Sequence, residues 1–529
     1  MTNIDRVIIL LLFFVLIMNV KVISQNNESM ILSNFKYLGK VKTKKSENID
    51  QSYWGIQSGT LNYKILKYAG EIGVKWTRLM ADWPSIEKQK KTYNWINFDN
   101  ALESVLLEKI TPFVSLTGGN KLYSPLSTYE DPKLSEIYGY KPAPPIDDEV
   151  AMKAWDDYVT AIVKRYKDKI FYWEIWNEPN HRNYWGTEPN AIKYGQLVHH
   201  TALLIKNIQP NAHIIAGAMA GLFSDFIDGF LSQNNKDLVD IISYHNYDII
   251  PETRIYRADS AWKVINKYNS KIQLWQGECG TPSHSSTRDY RSTAPWGLNI
   301  QAKWLLRQSF TDIYYCKASM SNYFKLGDEG KREEIPIRKN LSSLDSIVGF
   351  PERGGSRIKE IGVNEKCLLS NPELKPKPGF YAYQNLCALI DKSYVPIKLK
   401  HTINITDQGM FYGIGKADDG FPSIPFVANF ITKKGNYAIA YWLGWHPQEY
   451  TPIPAYIDLK YDYLLMKHPV LVDLLTGKVF DILDNYKNNQ KETFQHLPLS
   501  DYPFLIIEKT EVNFINKKDL VKQISHIKS

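Results

Sequence analysis

Short apolar runs alternate with stretches of helical period along most of the chain, from Tyr53 to about Asp391. The runs are rich in β-branched and aromatic residues, which is typical of buried strands, whereas the periodic stretches are typical of amphipathic helices. The predicted strands are 53–57, 75–80, 111–116, 171–178, 213–217, 240–247, 272–276 and 318–324. The predicted helices are 61–72, 95–107, 149–166, 191–207, 223–231, 258–268, 296–310 and 380–390. This strict alternation predicts an α/β fold, a (β/α)₈ TIM barrel over residues 51–391.

The pattern changes after the barrel. Residues 392–512 show short alternating runs without helical period, such as Tyr437–Trp442 and Tyr502–Ile507, separated by Gly, Asn and Asp turns. Such a pattern predicts a C-terminal antiparallel β-sandwich domain. We expect residues 26–50 to be a lead-in or a strand donated to the sandwich, and residues 513–529 to be a basic tail.

The first residues have the pattern of a signal peptide. Arg6 precedes an apolar run from Val7 to Met18, and a more polar segment follows. The run is too short for an ordinary membrane span. We therefore expect residues 1–25 to be a signal peptide and the protein to be secreted or periplasmic, without stable membrane insertion after cleavage. An uncleaved anchor is the alternative.

The composition narrows the possible partners. The chain is 44% hydrophobic and 23% charged, as a globular protein is, and its net charge of +8 is small for 529 residues. The positive charge is also dispersed, which argues against nucleic acid as a partner. The four cysteines are too few for a disulfide scaffold in a chain of this length. A Cys367–Cys387 bridge is possible, but nothing in the sequence requires it, and the sequence does not indicate an oligomeric state.

Two predicted strands end in a carboxyl group. The aromatic run that begins at Phe171 ends with Asn177 and Glu178, and the run around Leu274 ends with Glu278. A parallel barrel carries its catalytic groups at the C-terminal ends of its strands, and the fourth and seventh strands face each other across the barrel mouth. Two carboxyl groups across a pocket, one protonated and one ionised, are the minimum apparatus of glycoside hydrolysis.

With these residues the sequence resembles the clan A retaining glycoside hydrolases, most closely family 39 and its relatives. The resemblance rests on Trp173–Asn180, on Tyr244–Tyr247 and on Glu278. It extends to further matching positions at Arg78, Ser321–Gly330 and Asn371–Tyr383. It covers about residues 50–390, and the Asn-Glu-Pro motif is its most specific part.

The resemblance implies a role for each matching residue. Glu178 would be the general acid/base and Glu278 the nucleophile of a double displacement. Asn177 would bind the sugar 2-hydroxyl, and His245 or Tyr247 would orient the Glu278 carboxylate. Arg78 would keep that carboxylate ionised.

Other aromatic and polar residues are candidates for substrate binding. Tyr323 occupies the position where relatives often carry a Trp platform beneath the sugar. Trp83, Asn120 and Trp185 lie in predicted loops on the catalytic face. By strand alternation, Glu174 should point the same way as Trp176 and Glu178 but deeper in the barrel, so it is the main rival for a catalytic role.

The sequence therefore predicts an exported glycosidase that needs no metal or organic cofactor. It would cleave O-glycosidic linkages, which we expect to be β. Its substrate would be an oligosaccharide, a polysaccharide or a glycoconjugate. The alternatives are a catalytically inactive glycan-binding barrel or scaffold, and a metal-dependent hydrolase. The last is disfavoured because no strand end carries a His pair. The sugar, the linkage and the choice between exo and endo action stay open.

Overall fold

The computed structural model describes residue 32 and residues 35–516, apart from 59–61, 125, 128–140, 285–295, 329–330, 337–355, 362–363, 371–372, 416–422, 465 and 489–491. The predicted signal peptide and all but the first residues of the predicted basic tail lie outside this range. Within the range, no helix is both long enough and apolar enough to cross a lipid bilayer. All four cysteines are buried and free, so Cys367 and Cys387 are not bridged.

The first strand, β1 (Lys36–Val41), belongs to the C-terminal domain and not to the barrel. It pairs antiparallel with Lys478–Asp481 on one side and with Phe514–Asn516 on the other. Both ends of the described chain therefore meet in one sheet, and that sheet extends beyond residue 512.

Eight parallel strands close the predicted barrel. They are β2 (Trp54–Gln57), β3 (Trp76–Asp82), β4 (Thr111–Thr117), β5 (Tyr172–Ile175), β6 (His213–Ala220), β7 (Ile241–Asn246), β8 (Gln273–Cys279) and β9 (Ser321–Phe324). Each strand pairs with the next one in the chain, and β9 closes the ring on β2 through the Ser321–Trp54 register. The (β/α)₈ fold is confirmed.

Helices between the strands form the outer layer. They are α1 (Tyr63–Ile72), α2 (Trp83–Ile86), α3 (Ile96–Leu107), α4 (Glu149–Tyr166), α5 (Arg182–Trp185), α6 (Ala191–Ile208), α7 (Ser224–Leu231), α8 (Ile255–Tyr268), α9 (Leu298–Phe310) and α10 (Pro378–Leu389). Their starts follow from local chemistry. Asp148 caps α4 by accepting a hydrogen bond from the Ala151 amide, and Asn190 caps α6 through the Ile192 and Lys193 amides.

Shorter elements complete the barrel domain. Turns of 3₁₀-helix cover Ser46–Asn48, Pro145–Asp147 and Pro251–Arg254, and a π-helical turn, Thr311–Tyr315, extends α9. Two small antiparallel ribbons pair Leu126–Ser127 with Lys141–Pro142 and Lys331–Pro336 with Ser356–Ile361.

The C-terminal domain is a two-sheet antiparallel sandwich, as predicted. Its strands are β10 (Tyr394–Pro396), β11 (His401–Asp407), β12 (Pro425–Thr432), β13 (Tyr437–Leu443), β14 (Ala455–Tyr461), β15 (Pro469–Asp473), β16 (Lys478–Asp481), β17 (Tyr486–Asn488), β18 (Glu492–Leu499), β19 (Phe504–Glu508) and β20 (Phe514–Asn516). One sheet has the order β10-β12-β13-β19-β15-β16-β1-β20 and the other β11-β14-β18-β17. Turns of 3₁₀-helix at Leu483–Asn485 and Lys509–Glu511 join strands.

The larger sheet is buried on both faces. Ile439 and Tyr441 on β13 pack toward the smaller sheet, whereas Ala440 and Trp442 belong to the same continuous core as the barrel helices. Alternate residues of a strand point to opposite faces, so a strand covered on both sides reads as a continuous apolar run. The sandwich is thereby packed directly against the barrel.

Candidate active site

A cavity of about 910 Å³ opens at the C-terminal ends of the barrel strands. Glu178, which follows β5, and Glu278, near the end of β8, both line it. His245 and Tyr247, at the end of β7 and just after it, line the same cavity. The two strand-end acids of the sequence analysis thus meet in one pocket.

The backbone after β5 turns sharply. Trp176 has φ of +70° and Glu178 has φ of +47°, a left-handed conformation that is unusual for residues other than glycine. The expectation that Glu174, Trp176 and Glu178 point the same way is therefore wrong, because β5 ends at Ile175 and alternation ends with it. Trp176 packs outward between Trp155 and Trp185 instead. Backbone strain of this kind clusters at functional sites.

Arg78 on β3 is the electrostatic centre of the site. Its guanidinium is buried and donates from Nε to Glu174 Oε1 at 2.8 Å and from Nη1 to Glu278 Oε2 at 2.9 Å. Nη2 also donates to Asn177 Oδ1 at 2.8 Å and contacts Glu174 again. Burial lowers the pKa of Arg78, but the charges of Glu174 and Glu278 outweigh it and raise the pKa, so the residue stays cationic.

Glu174 is bound to Arg78 and does not line the cavity. It is fully buried, which is where the sequence placed it, deeper in the barrel than Glu178. Asn177 is fixed through its carbonyl oxygen to Arg78, so its amide nitrogen is the group of that side chain that can donate to a ligand.

Glu278 accepts from a donor on β3, Arg78, and from a donor in the loop after β7, Tyr247. Besides Arg78 on Oε2, the Tyr247 hydroxyl donates a short hydrogen bond to Oε1. Burial, followed by the charge of Glu278, raises the pKa of Tyr247 well above its ordinary value, so the phenol remains a donor. The Lys366 ammonium lies 5.1 Å from the Tyr247 ring centroid. The Glu278 carboxylate is therefore held by the Arg78 guanidinium and the Tyr247 phenol.

Glu178 has a different partner. Its Oε1 lies 2.9 Å from His245 Nδ1, and the other ring nitrogen of His245 is buried without a hydrogen-bond partner among the described residues. Burial raises the pKa of Glu178, but the hydrogen bond and charge of His245, with His181 and Arg78, outweigh it and lower the pKa. His245 thus orients Glu178, and Tyr247 orients Glu278.

The two acids are close together. One carboxylate oxygen of Glu178, one of Glu278 and a ring nitrogen of His245 all lie within 4.8 Å of one another. Retaining glycosidases hold their carboxyl groups about 5–5.5 Å apart, whereas inverting ones need about 6.5–9.5 Å for a water molecule. The same three groups are the residues of the site that could bind a cation. Each is already hydrogen-bonded to a neighbouring side chain, and catalytic zinc sites more often use two or three His ligands.

Five predicted substrate-binding residues do not line the cavity, namely Asn177, Trp83, Trp185, Asn120 and Tyr323. Trp83 is fully buried, stacks between Tyr123 and Tyr158, and donates to Glu87. Trp185 is 1% exposed and packs on Trp176. Trp83 and Trp185 thus both fill space between the strands and the helices near the catalytic face, so their role is packing.

Asn120 and Tyr323 are also buried within the protein. Asn120 is 1% exposed, and its amide donates to the Glu87 carbonyl and accepts from the Leu122 amide, which fixes the loop after β4. Tyr323 is 2% exposed, and its hydroxyl donates to the Lys366 carbonyl at 3.1 Å. Its neighbour Phe324 lines the cavity instead, so the aromatic candidate for a sugar platform is Phe324.

Several cavity residues were not predicted. Phe324 could have been found from alternation, because Tyr323 and Phe324 must point to opposite faces of β9. Others come from loops and helices whose approach to the mouth leaves no sequence signal, namely His181, Tyr184, Phe223, Arg254, Arg257 and Lys366.

The Phe324–Lys325 peptide bond is cis.

Comparison with known proteins agrees with this geometry. The model of glycosyl hydrolases family 39 matches residues 19–273, a stretch that contains Arg78, Glu178 and His245 but stops short of Glu278. This match covers just under half of the chain, so the chain is similar to family 39 over that stretch. A curated relative, a beta-xylosidase of Geobacillus stearothermophilus, is 25% identical over 169 residues, or 30% of this chain and 32% of the relative. The chain therefore matches about a third of that relative's length.

Solved structures of low sequence identity share the fold of this chain. A family 39 glycoside hydrolase of Bacteroides cellulosilyticus WH2 has a TM-score of 0.59 at 16% identity, covering 86% of this chain and 81% of that one. A GH30 endoxylanase of Clostridium papyrosolvens C71 has 0.57 at 13% identity, covering 89% and 97%. A GH39 beta-xylosidase of Caulobacter crescentus has 0.50 at 16% identity, covering 88% and 98%. The coverage includes the sandwich as well as the barrel.

Proposed function

We propose that the protein hydrolyses β-O-glycosidic bonds with retention of anomeric configuration. Glu278 would be the nucleophile and Glu178 the general acid/base. The observation that carries the proposal is the pair of acids in one cavity, less than 5 Å apart at their nearest oxygens, each with different partners. Glu278 is bound by Arg78 and Tyr247, and Glu178 by His245.

In the first step, a Glu278 oxygen attacks the anomeric carbon and the bond from that carbon to the leaving oxygen breaks. Glu178 gives its proton to that oxygen, and a glycosyl ester on Glu278 results. Arg78 and Tyr247 hold the attacking oxygens in place and hydrogen-bond the carboxylate when it leaves again. In the second step, Glu178 takes a proton from water, the water attacks the anomeric carbon, and the ester bond breaks.

The proton supply depends on His245. Because His245 lowers the pKa of Glu178, Glu178 carries the proton that the leaving group needs only at acidic pH. Activity should therefore be lost on the basic side as Glu178 ionises. An acidic optimum is expected.

We propose β-xylosides as the first substrates to test, and we propose that the protein is exported. Support for xylosides is the names of relatives, a beta-xylosidase and an endoxylanase among them. Support for export is the apolar run from Val7 to Met18 behind Arg6. The wide cavity accommodates more than one sugar ring, so oligosaccharides belong in the same test.

The experiment is a screen of aryl β-glycosides and xylo-oligosaccharides with the wild type, Glu278→Gln and Glu178→Gln. Proton NMR of the first product formed reports the anomer. We expect release of the β-anomer by the wild type and loss of turnover in both variants. A matched control is Glu188→Gln, a surface acid paired with Arg182.

Three outcomes would contradict the proposal. Release of the α-anomer would mean inversion, and unchanged turnover of Glu278→Gln would refute the nucleophile. Binding of glycans without any turnover would favour the alternative, an inactive glycan-binding barrel.

A further inference from the structure

The loop that carries Tyr247 forms one wall of the cavity. From this segment, residues 247–254, the side chains that line the cavity are Tyr247, Asp248, Ile249, Ile250, Thr253 and Arg254. Since Tyr247 donates directly to Glu278, the position of this loop sets the orientation of the nucleophile. A misplacement of about 1 Å of a reacting group can cost about 100-fold in rate.

One side chain of this loop points away from the cavity and into the protein. Glu252 is 4% exposed, and its carboxylate accepts from three donors. Arg307 Nε and Nη2, on α9, donate at 2.8 and 2.7 Å, and Trp442 Nε1, on β13 of the sandwich, donates at 2.5 Å. The loop is therefore bound from behind by both domains.

Arg307 joins the loop to the sandwich a second time. Its guanidinium is fully buried, and Nη1 donates a short hydrogen bond to the Trp445 carbonyl. The neighbouring helical residue Trp304 donates to the Asp248 carbonyl at 2.9 Å, so α9 also holds the start of the loop. The bonds of Arg307 and Trp442 to Glu252 lie between buried groups, where a hydrogen bond is stronger than in water, whereas the bonds to the two backbone carbonyls are partly buried.

Inside the loop, Arg254 links the anchored end to the strand. It donates to Asn246 Oδ1 at 2.7 Å and pairs with Asp248 Oδ2 at 2.5 Å. Asn246 and Asp248 flank Tyr247 on both sides. Arg254, two residues after the anchored Glu252, is thereby bonded to both neighbours of Tyr247.

We propose that the sandwich is a working part of the catalytic site: Trp442, through Glu252 and Arg307, holds the 247–254 loop and so positions Tyr247 against Glu278. Trp442, Glu252 and Arg307 are positioning residues, and none of them lines the cavity. The inference rests on the proposed function, because it assigns Glu278 the nucleophile's role.

The test is Trp442→Phe, which keeps a ring between Phe310 and Phe426 but removes the donor to Glu252. The matched control is Tyr315→Phe. The Tyr315 hydroxyl bonds the Val427 backbone across the same domain interface, so the control also removes a buried interface donor while keeping the ring. The measurement is the rate constant of covalent inactivation by a 2-deoxy-2-fluoro-β-xyloside with a dinitrophenolate leaving group, together with the inactivator's binding constant.

We expect Trp442→Phe to lower the inactivation rate constant about tenfold with little change in the binding constant, since a hydrogen bond to a charged group is lost. The inactivation rate constant of Tyr315→Phe should stay within about twofold of the wild-type value, even if its thermal midpoint falls as much as that of Trp442→Phe. Equal rate constants for Trp442→Phe and the wild type would overturn the inference, as would an equal loss in the control. If Trp442→Phe does not fold, Glu252→Gln takes its place in the same comparison. A wild type that is not inactivated would count against the proposed function itself.

Discussion

Replacing Tyr247 with Phe removes a single hydroxyl from the site and leaves the ring. That hydroxyl donates a hydrogen bond to Glu278, on the carboxylate oxygen that Arg78 does not bind. Tyr247→Phe leaves Arg78 in place, so the carboxylate remains paired but loses one of its two orienting contacts.

The expected loss of activity follows from the kind of hydrogen bond that Tyr247→Phe removes. A hydrogen bond to a charged group is worth about 1.5–3 kcal/mol, more than a neutral one. If the whole of it is expressed in the transition state, kcat/KM falls about 10- to 150-fold, since about 1.4 kcal/mol is one factor of ten. Both steps use the same carboxylate, so kcat should fall with kcat/KM.

The assay is steady-state hydrolysis of an aryl β-glycoside that the wild type cleaves, with thermal unfolding measured in parallel. The control is Tyr158→Phe, which removes a buried hydroxyl that donates to the Ala81 carbonyl, away from the cavity. The control should lose stability and keep its kcat/KM within about twofold. A Tyr247→Phe variant with wild-type kcat/KM would show that Tyr247 does not orient Glu278.

Three further outcomes are expected. His245→Asn removes the group that lowers the pKa of Glu178, so the basic limb of the pH profile of kcat/KM should move to higher pH. A basic limb that stays in place or moves to lower pH would contradict the pairing of His245 with Glu178. Phe324→Ala should raise KM about fivefold with little change in kcat, because about 1 kcal/mol of ring contact with the sugar is lost. Unaltered kcat/KM for this variant would argue against a platform. Exhaustive chelation should leave turnover unchanged, and lost activity restored by a divalent cation would instead favour metal use by Glu178, His245 and Glu278.

The fold was predictable because each barrel unit repeats one simple pattern. Fully buried parallel strands read as continuous apolar runs, and their helices show a clear period, so even the bounds of α4 were predicted. The donation of β1 to the sandwich was one of two alternatives for residues 26–50, and only the tertiary pairing with β16 and β20 distinguishes them.

From the strand pattern alone, the site was predictable only where a residue ends a strand, whereas Arg78, inside β3, was predicted from the family resemblance. Glu178 and Glu278 follow apolar runs, and the pattern places such residues at the barrel mouth. Trp83 and Trp185 follow strands as well, but a Trp side chain can fold back into the layer between strands and helices, and here both do. The sequence also does not show which acid each orienting residue binds. His245 and Tyr247 are two positions apart, yet His245 binds Glu178 and Tyr247 binds Glu278.

If Glu278 is the nucleophile, it forms a covalent bond to the sugar during turnover. To detect that bond, the wild-type protein is inactivated with the 2-deoxy-2-fluoro-β-xyloside and digested, and the added mass is located by tandem mass spectrometry. One adduct is expected, on the peptide that contains Glu278. An adduct on Glu178 or Glu174, or steady turnover of the probe's sugar with no adduct at all, would contradict it.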